Sequence, residues 1–205
     1  MLDFEEYTLN AQTDRHGPFR FLVGVDPAAI ETLWLRIEDA HQRLMSSPLA
    51  QVANQLEKEV VVSSIFGANS IEGGTLSEEE TRLAVEFEPE STPEVEQRRA
   101  INLKNAYDMA VQAASTADWE LDVDFIRQIH AAITADIPHR YNQPGLLRDN
   151  PKSIVTHVGD EDHGGRYKPP QYGRDIQRLL ESLTSWRHAL RSREVPALIR
   201  APLVH

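Results

Sequence analysis

Two places in this 205-residue sequence gather side chains able to do chemistry. The first is Glu72, which follows an apolar helical stretch and precedes Gly73 and Gly74. Glycine supplies the left-handed residue that closes a helix, so Glu72-Gly73-Gly74 reads as a helix C-terminus. A carboxylate there meets the negative end of the helix macrodipole. A helix shaped for stability alone favours Lys or Arg at that point, and a Glu is better explained by an Arg or a ligand site opposite it. The second place holds His157, Asp160, Asp162 and His163. A His/carboxylate set can ligate a metal. The glycines around this one give it no rigid support, so it reads as a solvated hairpin tip and no metal is assigned. His130 sits among Ile126, Ile129 and Ile133 at helical spacing and reads as a structurally satisfied histidine rather than a base.

The elements that must position Glu72 follow from the apolar periodicity. An irregular arm covers 1–25. Pro27, with Asp26 as its cap, opens a helix in which Ile30, Leu33, Ile37, Ala40 and Leu44 recur at three- and four-residue steps. A second helix runs from about Pro48 to Glu72 on the stripe Val52, Leu56, Val60, Ile65 and Ala68. Ser77 with Glu80 has the form of a capping box and begins a short third helix. An acidic loop, Glu86 to Pro93, leads to a helix reaching about Ser115, whose buried side is Ile101, Leu103, Ala106, Tyr107, Ala110 and Ala113 or Ala114. Another helix covers Asp122 to Asp136. The β-branched run Ser153–Val158 between glycines predicts a hairpin. Helix returns after Pro169-Pro170 with Ile176, Leu179, Leu180, Leu183 and Trp186, and an apolar segment from Pro196 begins a last helix containing Pro202. The expected divisions are 1–25, the helical region 26–91, and 92–205.

Composition narrows the function classes. The formal net charge is -11, with 21 Lys+Arg against 32 Asp+Glu. Nucleic-acid binders draw affinity from phosphate neutralisation by a basic face, and no Lys/Arg run is present, so neither nucleic acid nor an anionic membrane is an expected partner. No stretch approaches the ~18 apolar residues of a membrane span. The acidic N-terminus lacks a signal-peptide layout. With no Cys there are no disulfides and no Cys-ligated zinc or iron–sulfur cluster, and the expected location is cytoplasmic.

Asn69-Ser-Ile-Glu-Gly-Gly-Thr-Leu-Ser77 resembles the inhibitory helix motif of Fic (fido-fold) proteins, in the class where that helix precedes the core. Further stretches resemble family segments in the family's order. These are Ala100–Tyr107, Phe125–Ile133, Pro144–Arg148 through Tyr167–Pro170 around the flap hairpin, and Leu198–His205. The resemblance implies a mainly α fold: an incomplete Fic-like helical core with one β-hairpin flap and an N-terminal inhibitory helix. It implies transfer of AMP from ATP to a protein Ser, Thr or Tyr hydroxyl. Glu72, with Gly73 beside it, becomes the inhibitory residue near the nucleotide. Ser153, Ile154, Val155, Thr156 and His157 become the flap edge that docks a target segment. ATP and Mg²⁺ are implied for a complete family domain, and neither for this chain alone. Ala68 stands where the family places Ser or Thr. The signature His-x-Phe-x-Asp/Glu-Gly-Asn-Gly/Lys-Arg does not occur in these 205 residues, so no catalytic residue is assigned and the chain is expected to stop short of the catalytic loop and to be inactive by itself. A short regulatory or binding protein acting on a full-length relative is the alternative. An apolar last helix without its partners also predicts exposed hydrophobic surface and self-association.

Overall fold

The computed structural model describes residues 8–15, 18–22, 27–86, 94–140, 142–149, 159, 165 and 168–204. The architecture is mainly helical. A two-stranded antiparallel sheet, β1 (Thr8–Ala11) with β2 (Phe19–Leu22), is followed by α1 (Pro27–Met45), α2 (Leu49–Ile71), α3 (Glu78–Glu86), α4 (Val95–Ala114), α5 (Val123–Thr134), α6 (Gly173–Ser192) and α7 (Ala197–Val204). The chain divides into two compact units, neither continuous in sequence. One comprises residues 1–31, 120–125 and 147–205, and the other 32–119 and 126–146. They cut across the divisions read from the sequence.

The helix boundaries lie close to those the periodicity predicts, because they are set by local hydrogen bonds. At the end of α2, Gly74 N–H donates to Asn69 O (2.8 Å) and Gly73 N–H to Ser70 O (3.1 Å). This is the paired pattern of a Schellman cap, with Gly73 at φ +81°. At the start of α3, Ser77 N–H donates to Glu80 Oε2 (2.8 Å) and Glu80 N–H to Ser77 Oγ (3.2 Å), completing the box. A similar box joins Glu94 and Gln97 at the start of α4. Asp122 Oδ1 accepts from Phe125 N–H (2.7 Å) and caps α5.

The buried faces differ from the predicted stripes. In α2, Val52, Leu56 and Val60 are exposed, and the buried residues are Val62, Ile65 and Asn69. With ~3.6 residues per turn, Val60 and Val62 point about 160° apart. The helix is apolar on two sides and only one of them meets the core. In α4 the buried residues are Ala100, Asn102 and Ala106, while Tyr107 and Ala110 are exposed. The small alanines let neighbouring elements approach, and the larger side chains splay to the flanks. Helix α1 carries its predicted stripe, yet Leu33, Ile37 and Leu44 are exposed. Among the described residues it packs against no other helix or strand.

The N-terminal stretch expected to be irregular contains the β1–β2 pair, with Leu9 opposite Phe21 and Ala11 opposite Phe19. Four-residue strands are too short to leave an alternation that stands out in sequence. The hairpin predicted at Ser153–Val158 lies outside the described residues.

In the unit of residues 32–119 and 126–146, α2, α3 and α4 pack around Val62, Ile65, Ala100 and Ala106. Arg82 fastens α3 to α2 through a two-pronged contact with Glu59 (2.6 and 3.0 Å). In the other unit, β1 lies on α6, and α6 meets α7. Leu190, Val195 and Ala11 are buried there with Asp175, whose Oδ1 accepts from Asp14 N–H (2.7 Å).

Candidate functional site

Glu72 is the cap residue that ends α2, and its side chain is exposed. It lies on the rim of a cavity of about 560 Å³ whose lining includes Ala68, Ile71, Leu103, Ile133 and Ile137. Arg99 of α4 and Thr134 of α5 also line it. Glu72 makes no ion pair or hydrogen bond through its carboxylate among the described residues. Arg99 is 3.2 Å from Glu96 Oε1 across one helical turn. Thus an arginine does share the cavity with Glu72, although the two are not paired.

Two neighbours of Glu72 fix its backbone. Asn69 is 2% exposed, and its amide occupies the space beside Gly74. A Cβ built on Gly74 would stand 2.3 Å from Asn69 Nδ2 and 2.4 Å from its Cγ, so glycine is required there by close approach. Gly73, by contrast, is required by its left-handed backbone, since no atom lies within 4 Å of a Cβ at that position.

The far wall is the C-terminal end of α5, held by two amides. Asn102, 6% exposed, donates to Ile133 O (3.0 Å) and Ala135 O (2.8 Å). Asn142 donates to Thr134 O (2.7 Å) and Ile137 O (2.9 Å). These amides satisfy carbonyls that the helix end leaves open. His130 is satisfied too: its Nδ1 accepts from Gly145 N–H (3.1 Å), while Arg127 Nε donates to Gly145 O (2.8 Å). Together they pin the Gly145 turn, at φ +72°, to α5.

Two helix C-termini, those of α2 and α5, border the cavity together with the Glu72 carboxylate. Helix C-termini carry roughly half a negative charge and favour cations. A polyphosphate wants the reverse: backbone N–H donors at a helix N-terminus or a glycine-built nest. The lining thus sets one carboxylate, Glu72, and one guanidinium, Arg99, among apolar side chains.

Of the residues singled out in the sequence, Glu72 lies at this cavity, and Gly73 follows it in the turn that closes α2. Ser153, Ile154, Val155, Thr156 and His157 lie outside the described residues, as do Asp160, Asp162 and His163. Arg148, which follows the Gly145 turn, donates from Nε to Pro170 O (2.9 Å). Arg99, Ile133, Thr134 and Ile137 were not anticipated, because their partners are distant in sequence. The one available signal was the Arg98-Arg99 pair in the first turns of α4.

No protein-family model matches the chain, and no curated protein matches it. Among solved structures it is similar to a Fic domain-containing signaling protein from Bacteroides thetaiotaomicron, with 18% sequence identity and a TM-score of 0.63. The likeness covers 78% of this chain and 59% of that one, so the chain spans somewhat over half of that protein's length. At this identity the likeness shows the fold: the chain is Fic-like in its helical architecture.

Proposed function

We propose that this chain is the N-terminal, regulatory portion of a Fic-type protein adenylyltransferase, with Glu72 as its inhibitory carboxylate. In this reading AMP passes from ATP to a Ser, Thr or Tyr hydroxyl of a target protein. Glu72 holds an arginine that would otherwise grip the terminal phosphate. The flap segment Ser153–His157 aligns the target by adding a strand.

The observation that carries this reading is the exposed, unpaired Glu72 carboxylate at the C-terminus of α2, on the rim of a cavity that Arg99 also lines, in a chain with a Fic-like fold. An isolated carboxylate at a helix C-terminus is a liability that an incoming guanidinium converts into a charge-assisted contact. Gly73 and Gly74 turn the chain away immediately after Glu72 and leave its side chain on the rim. No step involving the nucleotide is assigned to these residues. Their work is to bind and orient the arginine.

The test uses labelled ATP and Mg²⁺. The 205-residue chain should incorporate no AMP, since the signature loop is absent from it. In a chain extended to include a matching loop, Glu72→Gly should raise incorporation about ten- to a hundredfold, the equivalent of a charged hydrogen bond of ~1.5–3 kcal/mol. An unchanged rate would refute the inhibitory role. Robust labelling by the 205-residue chain would refute the placement of the chemistry outside it.

A further inference from the structure

The cavity beside Glu72 holds more than an inhibitory carboxylate needs. Its volume of about 560 Å³ is within the range of small-molecule sites. Its walls are apolar: Ile71 from α2, Leu103 from α4, and Ile133 and Ile137 at and just beyond the end of α5. Ile71 is 85% exposed, the most of any large apolar side chain among the described residues. An apolar side chain left in water where it lines a cavity is covered once that cavity is filled. Two charges of opposite sign stand in the same lining. The Glu72 carboxylate is exposed and has no partner among the described residues. Arg99 Nη1 lies 3.2 Å from Glu96 Oε1, which engages one end of the guanidinium and leaves its other N–H groups for a second acceptor. Glu96 is itself shared, since its Oε2 accepts from Thr75 N–H (3.4 Å). The Arg99 side chain is 38% exposed, so a solute can reach it.

We infer that this cavity binds a small zwitterion with an apolar body, a free apolar amino acid or a short apolar peptide. Its ammonium meets Glu72, its carboxylate meets Arg99, and its apolar part lies against Ile71, Leu103, Ile133 and Ile137. The ammonium end is favoured by the Glu72 carboxylate and by the C-termini of α2 and α5, which favour cations. The carboxylate end suits Arg99, because the planar donors of a guanidinium match two oxygens at once. Each half of the lining also rejects a ligand with one charge only. An anion without an ammonium faces Glu72, and an amine without a carboxylate faces Arg99. The ammonium would compete with an incoming arginine for Glu72. The two readings nevertheless fail separately: binding needs no catalytic loop, and AMP transfer needs no zwitterion.

Saturation-transfer NMR on the 205-residue chain tests this, with L-leucine and leucyl-leucine as probes. Their methyl signals should receive saturation from the protein, and titration gives the dissociation constants. Binding of either or both supports the site and names the length of its ligand. Transfer to neither overturns it. Two analogues examine the charges without any substitution: 4-methylpentanoate is leucine without its ammonium, and isopentylamine is leucine without its carboxylate. Each should bind about tenfold or more weakly than the better zwitterion, the loss of one charge-assisted hydrogen bond. An analogue within about threefold of the zwitterion overturns the assignment, because the charge it lacks then has no partner in the cavity. Glu72→Gln and Arg99→Gln should each weaken the better zwitterion by about tenfold as well. Undiminished affinity in either variant places the ligand elsewhere and also overturns the assignment. Should a variant misfold, the analogues still decide the matter on the unsubstituted chain.

Discussion

Replacing Gly74 by Ala is the sharpest perturbation of the Glu72 turn. The new methyl carbon would lie 2.3 to 2.6 Å from three side-chain atoms of Asn69. Favourable separations for such heavy atoms are ~3.5–4.0 Å. Asn69 is 2% exposed and cannot swing into solvent without opening the end of α2. Overpacking of this kind costs about 1–3 kcal/mol. For a chain of this length that corresponds to a Tm lowered by roughly 3–10 °C. Gly73→Ala provides the contrast. Nothing lies within 4 Å of its added carbon, and its cost is that of a left-handed backbone, about 1–2 kcal/mol. The two losses differ in what relieves them. Asn69→Ala should rescue Gly74→Ala by at least about 1 kcal/mol relative to additivity and leave Gly73→Ala unrescued. Circular-dichroism melts of the three single and two double variants read this directly. If Gly74→Ala melts with the parent, or if Asn69→Ala rescues both glycine variants equally, the amide is not wedged beneath residue 74 and the account of how Glu72 is aimed fails.

Two further outcomes follow from the same unit. Asn102→Ala removes two hydrogen bonds and strands the carbonyls of Ile133 and Ala135, so it should destabilise by about 2 kcal/mol in denaturant titration, whereas a loss below ~0.5 kcal/mol would show that these carbonyls find other donors. The α2–α3 junction should weaken in acid. The hydrogen bond from Arg82 holds the Glu59 carboxyl below its ordinary value of 4.5, and the backbone and hydroxyl of Ser77 do the same for Glu80. A carboxyl whose folded pKa is lowered stabilises fully above the unfolded value and loses that contribution as pH falls through the folded one. The protection factors of the α3 amides, taken relative to intrinsic exchange at each pH, should therefore fall below about pH 4.5, and Glu59→Gln should remove much of that dependence.

What the sequence disclosed, and what it withheld, divides along the range of the forces involved. The end of α2 at Glu72-Gly73-Gly74 and the start of α3 at Ser77 were legible, because each is decided by hydrogen bonds between residues within five positions of one another. The buried face of α2 was legible only at Ile65. Val52, Leu56 and Val60 form as regular a stripe as Val62, Ile65 and Asn69, and only the arrival of α3 and α4 selects between them. The candidate site was half legible for the same reason. Glu72 announces itself by being the wrong charge for its helix end. Arg99 and the α5 terminus come from 27 or more positions away along the chain. Nothing in the sequence around Asn102 marks it as the cap of a different helix. The β1–β2 pair was missed because two four-residue strands carry too few alternations to stand out.

Helix α1 has a consequence of its own. Its 19 residues pack on no other helix or strand among those described, and an ion pair between Asp39 and Arg43 (2.7 Å) braces it from within. Helices under ~12–15 residues are marginal in water, and this one is only slightly longer. It should therefore open and reclose on its own, well before α2, α3 and α4 give way. The segment 27–45 then behaves less as a beam of the architecture than as a fraying strap. Along it, a protease would find a foothold before it could cut within α2, α3 or α4.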